Sequence, residues 1–216
     1  MKKILTILLL LIFTSHHLQA VDDEFSVQTV DGKILKFQGT DKGIITSPYQ
    51  GKIVFVEFWG TWCGPCLLSI PHHVKLQEKY KDKLRIVAIE TTPSLTRDQL
   101  TKYISDPKNI DMKKVSWFVQ NKARTPDMKK SLESPIEELK QFRASGKKIN
   151  FDVIAYADAG IFIDYIAQRA EWRGTIPFLL VLDGQGNAID MIPGMPSEKD
   201  LEDIIQKILK KGKLSV

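Results

Sequence analysis

The stretch Phe58-Trp59-Gly60-Thr61-Trp62-Cys63-Gly64-Pro65-Cys66 contains both cysteines of this 216-residue chain. Residues 52–58 before it are rich in β-branched and aromatic side chains, which predicts a buried strand. Pro65 suits the first turn of a helix, because the backbone N–H that proline lacks would have no partner there. The pattern therefore predicts that Cys63 lies at a strand-to-helix turn, where the positive end of the helix dipole stabilises a thiolate.

A zinc site and a structural disulfide are the two alternative uses of such a cysteine pair. Zinc needs two further ligands, and His72 and His73 lie too close along the same helix to complete a tetrahedron with both sulfurs. A disulfide across two residues closes almost no loop and stabilises a fold little. We therefore expect no metal, and no cofactor besides a redox-active Cys63–Cys66 disulfide.

The motif Trp62-Cys63-Gly64-Pro65-Cys66 after a hydrophobic strand resembles the active site of thioredoxin-fold thiol-disulfide oxidoreductases. Residues 51–63 resemble the secreted TlpA/ResA-like branch in particular, and the resemblance extends over roughly residues 25–90 and 172–210. It implies an α/β thioredoxin-like fold, in which a central mixed β-sheet is flanked by helices and preceded by an N-terminal β-hairpin. It also implies that Cys63 attacks a substrate disulfide and that Cys66 resolves the mixed disulfide.

A second family signature is Arg173-Gly174-Thr175-Ile176-Pro177-Phe178. Pro177 matches the cis-proline that this fold places opposite its cysteines, and the alternative is an ordinary trans proline that opens a strand. A cis bond would expose the backbone of Ile176 to an extended substrate, which could pair with it as an added strand. The resemblance thus implies a catalytic role for Pro177 and substrate contacts at Trp62, Gly64, Pro65, Thr175 and Ile176.

Glu57 lies six residues before Cys63, where thioredoxins carry a buried acid. An acid within a run of Ile, Val and Phe costs free energy unless it is paired or protonated. We therefore expect Glu57 to be catalytic and to accept the proton of Cys66. The alternative is a solvent-exposed residue on an edge strand.

Residues 1–20 have the pattern of a secretory signal peptide, with Lys2 and Lys3, a ten-residue apolar run and a cleavage site after Ala20. The run is shorter than the roughly 20 residues that cross a bilayer, so no membrane-spanning segment is expected after cleavage. An exported chain whose two cysteines share one motif uses them for exchange. This predicts a periplasmic or secreted protein with protein thiol or disulfide substrates, a membrane electron donor and no nucleic-acid partner.

Residues 21–216 are expected to form one thioredoxin-like domain with a helical insertion at about 106–150. The pattern predicts a hairpin around Asp31-Gly32, a strand at 84–90 and a helix begun by a capping box at Thr96. The third parallel strand could be residues 150–156 or 115–119. Asp158 could cap the following helix, and 178–182 with 188–192 predict a closing hairpin before a last amphipathic helix.

The predicted insertion contains eleven Lys/Arg and six Asp/Glu, a balance of +5, and Ser134-Pro135-Ile136-Glu137 predicts a capped helix within it. A charge run of this kind is usually a solvated face. The alternative is a docking surface for an acidic partner or an anionic lipid surface.

Three functions compete on the sequence alone. A reductase of protein disulfides leads, because Gly64-Pro65 between the cysteines resembles the reducing members of the superfamily. The alternatives are an oxidant or isomerase of folding proteins, and a non-catalytic binding module or chaperone. The TlpA/ResA-like branch is associated with cytochrome c maturation through an acid within or just after the cysteine pair. This chain has Gly64-Pro65 and Ser69 at those places, so it departs from that pattern.

Overall fold

The computed structural model describes residues 23–40, 43–47 and 49–212. The predicted signal peptide and its cleavage site at Ala20 lie outside the described residues. Within those ranges, no helix combines the length and the apolar character needed to cross a membrane.

A mixed five-stranded sheet forms the centre of the fold. Its strands lie in the order β6-β5-β4-β7-β8, where β4 to β6 are parallel and β7 and β8 are antiparallel to their neighbours. The bounds are β4 Ile53–Trp59, β5 Leu84–Glu90, β6 Asp152–Ile154, β7 Phe178–Leu182 and β8 Ala188–Pro193. All seven residues of β4 are buried, which explains its continuous apolar run.

A separate three-stranded antiparallel sheet precedes the central one. It consists of β1 Glu24–Gln28, β2 Ile34–Gly39 and β3 Ile44–Ser47. The β1–β2 hairpin turns at Asp31-Gly32, where Gly32 has a φ of 88° that favours glycine. The predicted hairpin is confirmed, and β3 extends it.

Helices cover both faces of the central sheet. These are α1 Gly64–Lys79, α2 Arg97–Ser105, α6 Tyr156–Arg169 and α7 Glu198–Gly212. Phe55 and Trp59 of β4 face α1, while Val56 and Phe58 face the side covered by α6 and the small sheet. The predicted thioredoxin-like α/β fold is thus confirmed.

Residues 107–145, within the predicted insertion, form a short 3-10 helix at Pro107–Asn109 followed by three α-helices. These are α3 Met112–Asn121, α4 Pro126–Ser131 and α5 Glu133–Ser145. Both α3 and α5 pack against α1, the helix that begins at the cysteines. Residues 115–119, one of the two candidates for the third parallel strand, belong to α3, and the strand is β6.

Two predicted helix starts are wrong, and one is confirmed. α6 begins at Tyr156 without a side-chain cap, and Asp158 lies in its first turn, paired with Arg97 of α2. Ser134 lies inside α5 and hydrogen-bonds Glu138, because α4 leads into α5 with only Leu132 between them. The capping box of Thr96 with Gln99 is present as predicted.

Candidate active site

Cys63 and Cys66 form a disulfide at the junction of β4 and α1, with their Cα atoms 5.2 Å apart. Cys63 is the N-cap residue of α1, and its Sγ accepts a 3.4 Å hydrogen bond from the backbone N–H of Cys66. The unpaired N–H groups of a helix start favour negative charge at this sulfur. Cys63 is 5% exposed and Cys66 1%, so the second cysteine is the more deeply buried. Both cysteines are buried in the disulfide form, and their roles as attacking and resolving residue stay a prediction.

A buried acid holds the turn that leads to Cys63. Glu90, at the end of β5, accepts hydrogen bonds from the backbone N–H groups of Thr61 (3.3 Å) and Thr92 (2.6 Å). The indole Nε1 of Trp62 donates to Thr92 Oγ1 at 3.0 Å, and the ring remains 54% exposed beside the disulfide. Glu90 was not predicted from the sequence, although an acid at the end of an apolar strand is the same signal that singled out Glu57.

The loop before β7 lies at the same end of the sheet. The Ile176–Pro177 peptide bond is cis, and the Ile176 side chain packs against the apolar cluster that contains both cysteines. Thr175 is exposed, and its carbonyl accepts a 2.7 Å hydrogen bond from Trp172 Nε1. No described residue hydrogen-bonds the backbone N–H or C=O of Ile176. The structure therefore brings the two sequence signatures together.

Glu57 is buried in the central strand, only 5% exposed, so the alternative of an exposed edge residue is wrong. Its Oε1 accepts a 3.1 Å hydrogen bond from Ser69 Oγ, which also lies 2.8 Å from the carbonyl oxygen of Cys66. The hydroxyl has one proton, so it donates to one of these acceptors at a time. Ser69 thus links the Glu57 carboxylate to the residue expected to resolve the mixed disulfide.

The second oxygen of Glu57 faces a histidine. His73 Nδ1 lies 2.9 Å from Glu57 Oε2, although the two atoms are not aligned as a hydrogen bond. His73 is buried, with its ring edge-on to Phe151. From the sequence, His73 was considered only as a zinc ligand. Positions three and seven residues after Cys66 share its helix face, which is the signal that could have found both Ser69 and His73.

Gly64 lies under α3. A Cβ atom on Gly64 would lie 2.5 Å from Phe118 Cβ and 3.1 Å from the carbonyl oxygen of Lys114. Only glycine permits this approach, and Gly64 is accordingly buried, whereas Pro65 is half-buried. The first residue of α1 is therefore covered by a helix of the chain itself.

One group of described residues has metal-ligand spacing, namely His72, Glu138 and Glu198, whose ligating atoms lie within 4.8 Å of one another. Lys75 Nζ sits at this group, 2.6 Å from Glu138 and 3.1 Å from Glu198, and already balances the carboxylates. Burial lowers the pKa of His72, which keeps the imidazole neutral at pH 7. The group joins α1, α5 and α7 as an ion-pair cluster, away from the cysteines.

Comparison with known proteins agrees with this site. The thioredoxin family model matches residues 42–105, which include Glu57 and both cysteines. The chain is 32% identical to the thioredoxin-like protein YneN of Bacillus subtilis over 87 residues, 40% of this chain and 46% of YneN. It is 44% identical to the thiol-disulfide oxidoreductase ResA of Bacillus thuringiensis over 50 residues, 23% of this chain and 29% of ResA. Each match spans less than half of the relative's length.

Among solved structures, that of a candidate thioredoxin from Neisseria meningitidis is similar with a TM-score of 0.51 at 16% identity. The alignment covers 88% of this chain and 91% of that protein, and at this identity it shows the fold alone. Residues 42–105 thus match the thioredoxin family model within a chain that has the thioredoxin fold, and the resemblance to TlpA/ResA-like thiol-disulfide oxidoreductases is confirmed.

Proposed function

We propose that this protein is a thiol-disulfide oxidoreductase that reduces disulfides in exported proteins. The observation that carries the proposal is the position of Cys63, which caps the N-terminus of α1 and is bonded to a more deeply buried Cys66. A sulfur at a helix start is a stabilised thiolate once reduced, and the thiolate is the reactive form of cysteine.

In the first step, the Cys63 thiolate attacks one sulfur of a substrate disulfide. A bond forms between Cys63 and that sulfur, the substrate S–S bond breaks, and the other substrate sulfur leaves as a thiolate that takes a proton from solvent. In the second step, Cys66 attacks the Cys63 sulfur and releases the remaining substrate sulfur. Two electrons and two protons pass from the dithiol to the substrate in total.

The resolving step requires Cys66 to lose its proton in a buried place. Glu57 is the base in this proposal, because it is a buried carboxylate that faces the first turns of α1, where Ser69 Oγ lies 3.1 Å from its Oε1 and 2.8 Å from the carbonyl oxygen of Cys66. The Nδ1 atom of His73 lies 2.9 Å from the other carboxylate oxygen and covers that side of Glu57. The dithiol itself carries the electrons, so the proposed reaction uses no metal and no organic cofactor.

The substrate would lie between the Trp62 turn and the Thr175–Pro177 loop. The free backbone of Ile176 can pair with an extended segment of the substrate, as if a strand were added. The exposed Trp62 ring offers an apolar contact next to the reactive sulfur.

We further propose that the protein works in the periplasm or outside the cell and receives electrons from a membrane protein with a reactive dithiol. The signal-peptide pattern of residues 1–20 supports this location. The Gly64-Pro65 pair supports the reducing direction. Cytochrome c apoproteins are one possible substrate class, although Ser69 stands where the branch carries an acid.

The test is a stoichiometric reduction assay. The protein is reduced with dithiothreitol, desalted and mixed with insulin. Alkylation and mass spectrometry then measure the transfer of thiols from Cys63 and Cys66 to insulin, with the Cys63→Ser variant, which should be inactive, as the control. The Cys66→Ser variant should instead accumulate a mixed disulfide through Cys63. Failure of the reduced wild-type protein to transfer electrons would contradict the proposal and favour a binding module.

A redox titration against glutathione distinguishes the reductase from the oxidant. A reductase should have a potential near that of thioredoxin, about −270 mV, and a strong oxidant one near −120 mV. A value at the oxidising end would reverse the proposed direction.

A further inference from the structure

We propose that the outer surface of α3 and α4 is a docking site for the substrate protein. The segment that binds there is acidic and lies next to the substrate disulfide that Cys63 reduces. The inference rests on the proposed function and adds a substrate class to it. We define the basic surface as six exposed side chains on or between these helices: Lys113, Lys114, Lys122, Arg124, Lys129 and Lys130.

The charge of this surface is compensated only in part, by Asp127 within it and by Asp111 and Glu133 directly beside it. Residues 112–131 contain these six cations and a single acid, Asp127. None of the six forms an ion pair with a carboxylate in the described part of the chain. Elsewhere the structure does pair lysines across elements, for example Lys75 with Glu138 and Lys79 with Glu202. An excess of one sign on one surface attracts a partner of the opposite sign.

The basic surface borders the reactive disulfide. α3 lies directly on the first residue of α1, since Gly64 has room only for hydrogen beneath Phe118 and the Lys114 carbonyl. Val115 belongs to the same buried cluster as Cys63 and Cys66. A molecule bound on the outside of α3 is therefore one helix away from the sulfur that attacks the substrate.

The same surface carries an exposed aromatic side chain. Trp117 of α3 is 57% exposed, and Lys122 Nζ lies 5.8 Å from the centre of its ring. Exposed tryptophans next to cations are frequent anchors in protein interfaces. Trp117 thus lies on the basic surface, and the exposed ring of Trp62 lies on the neighbouring turn before Cys63.

An acidic polypeptide fits these observations better than a lipid surface. The occupant of a surface beside Cys63 must leave that cysteine accessible to a disulfide, and a polypeptide can present its own disulfide there. A bilayer docked on α3 would cover a surface next to Cys63 and would leave less room there for a substrate protein. The charge of α3 and α4 therefore selects among substrate proteins by the residues that flank their cysteines.

The test compares three synthetic peptides with the same central disulfide, flanked by four Glu, four Gln or four Lys residues. The second-order rate constant for reduction by the dithiol form is measured at about 50 mM and about 1 M NaCl, where the Debye lengths are about 14 and 3 Å. We expect the Glu peptide to react roughly tenfold faster than the Gln peptide at low salt, and the ratio to approach one at high salt. The Lys peptide should be the slowest.

The variant Lys114→Gln/Lys122→Gln/Arg124→Gln should lose most of the Glu-to-Gln ratio at low salt. The matched control removes three equally exposed charges at the opposite end of β4, as Lys81→Gln/Lys83→Gln/Lys207→Gln. We expect the control to keep the ratio. An equal loss in both variants would show a general effect of net charge and overturn the docking site.

Three other results would also overturn the proposal. If the wild-type protein reduces the Gln peptide without favouring the Glu peptide, the proposed function stands and the docking site falls, whereas reduction of none of the peptides removes both. If vesicles of phosphatidylcholine with one-quarter phosphatidylglycerol bind the wild-type protein but not the Lys114→Gln/Lys122→Gln/Arg124→Gln variant, and the peptide ratio is near one, the surface faces lipid instead.

Discussion

Replacing Glu57 by Gln should slow the resolving step without unfolding the protein. Gln keeps the shape of the side chain and an oxygen that can accept the 3.1 Å hydrogen bond from Ser69, and its amide can face the His73 ring. We therefore expect a change in the free energy of unfolding of about 1 kcal/mol or less. The variant lacks the carboxylate that would accept the proton. Because the fold stays intact, a slower resolving step reports the loss of this proton acceptor.

The rate effect follows from the protonation of Cys66. Without a base, Cys66 reacts only through its ionised fraction. A free thiol with the ordinary pKa of about 8.5, taken as the reference for this pH dependence, is roughly 3% ionised at pH 7 and 75% at pH 9. A positioned base contributes on the order of a hundredfold or more, or about 2.7 kcal/mol of the barrier. The variant should thus be about a hundredfold slow at pH 7 and should recover roughly 25-fold by pH 9.

A reaction with dithionitrobenzoate measures this step directly. Cys63 of the reduced protein releases one coloured thionitrobenzoate ion when it attacks, and Cys66 releases the second when it resolves the mixed disulfide. The second phase reports the effect of Glu57→Gln. The matched control is Glu90→Gln, which removes another buried carboxylate that binds Thr61 and Thr92. Glu90→Gln should disturb the turn before Cys63 and should therefore change the rate of the second phase by a factor that does not depend on pH.

Two results would refute the role of Glu57 in proton transfer. One is a wild-type rate for the second phase of Glu57→Gln at every pH from about 6 to 9. The other is a slow phase that does not recover as the pH rises, since that would indicate a structural effect alone. The free energy of unfolding is measured in urea for each variant. It distinguishes a local structural effect on a folded protein from a slow phase that arises because part of the protein is unfolded.

Three further predictions concern the cysteines and the helices around them. In the reduced protein, iodoacetamide should modify Cys63 faster than Cys66 at pH 7, because Cys63 caps the helix, and equal rates would contradict the assigned roles. Gly64→Ala should lower the free energy of unfolding by about 1–3 kcal/mol, because its Cβ would lie 2.5 Å from an atom of α3. Gly160→Ala in α6, with no atom within 4 Å, should instead raise it by about 0.5–1 kcal/mol, and similar changes in both would argue against the tight contact. Burial acts to raise the pKa of Glu138, but its hydrogen bond from α1 holds that pKa below the ordinary value of 4.5. Glu138 should therefore stabilise the fold above pH 4.5 and lose this effect as the pH falls through its lowered pKa. Glu138→Gln should cost about 1 kcal/mol at pH 7 and nothing near pH 2, and a cost that is constant with pH would refute this.

The sequence by itself determined the fold class and the reactive pair. A continuous apolar strand, two cysteines one helical turn apart and a proline at the helix start are local patterns, and each depends on a few neighbouring residues. Glu57 also stood out, because an acid in an apolar run is a conflict that can be read without a structure.

Only the tertiary structure decided which side chains meet these residues. His73 and Ser69 face Glu57 because α1 lies across β4, and the register of that packing is not written in either segment alone. The third parallel strand was ambiguous for the same reason, since short apolar runs such as 115–119 fit a strand or a helix equally well. The packing of α3 on Gly64 likewise depends on contacts between residues fifty or more positions apart in the sequence. These contacts bring the basic surface close to the cysteines.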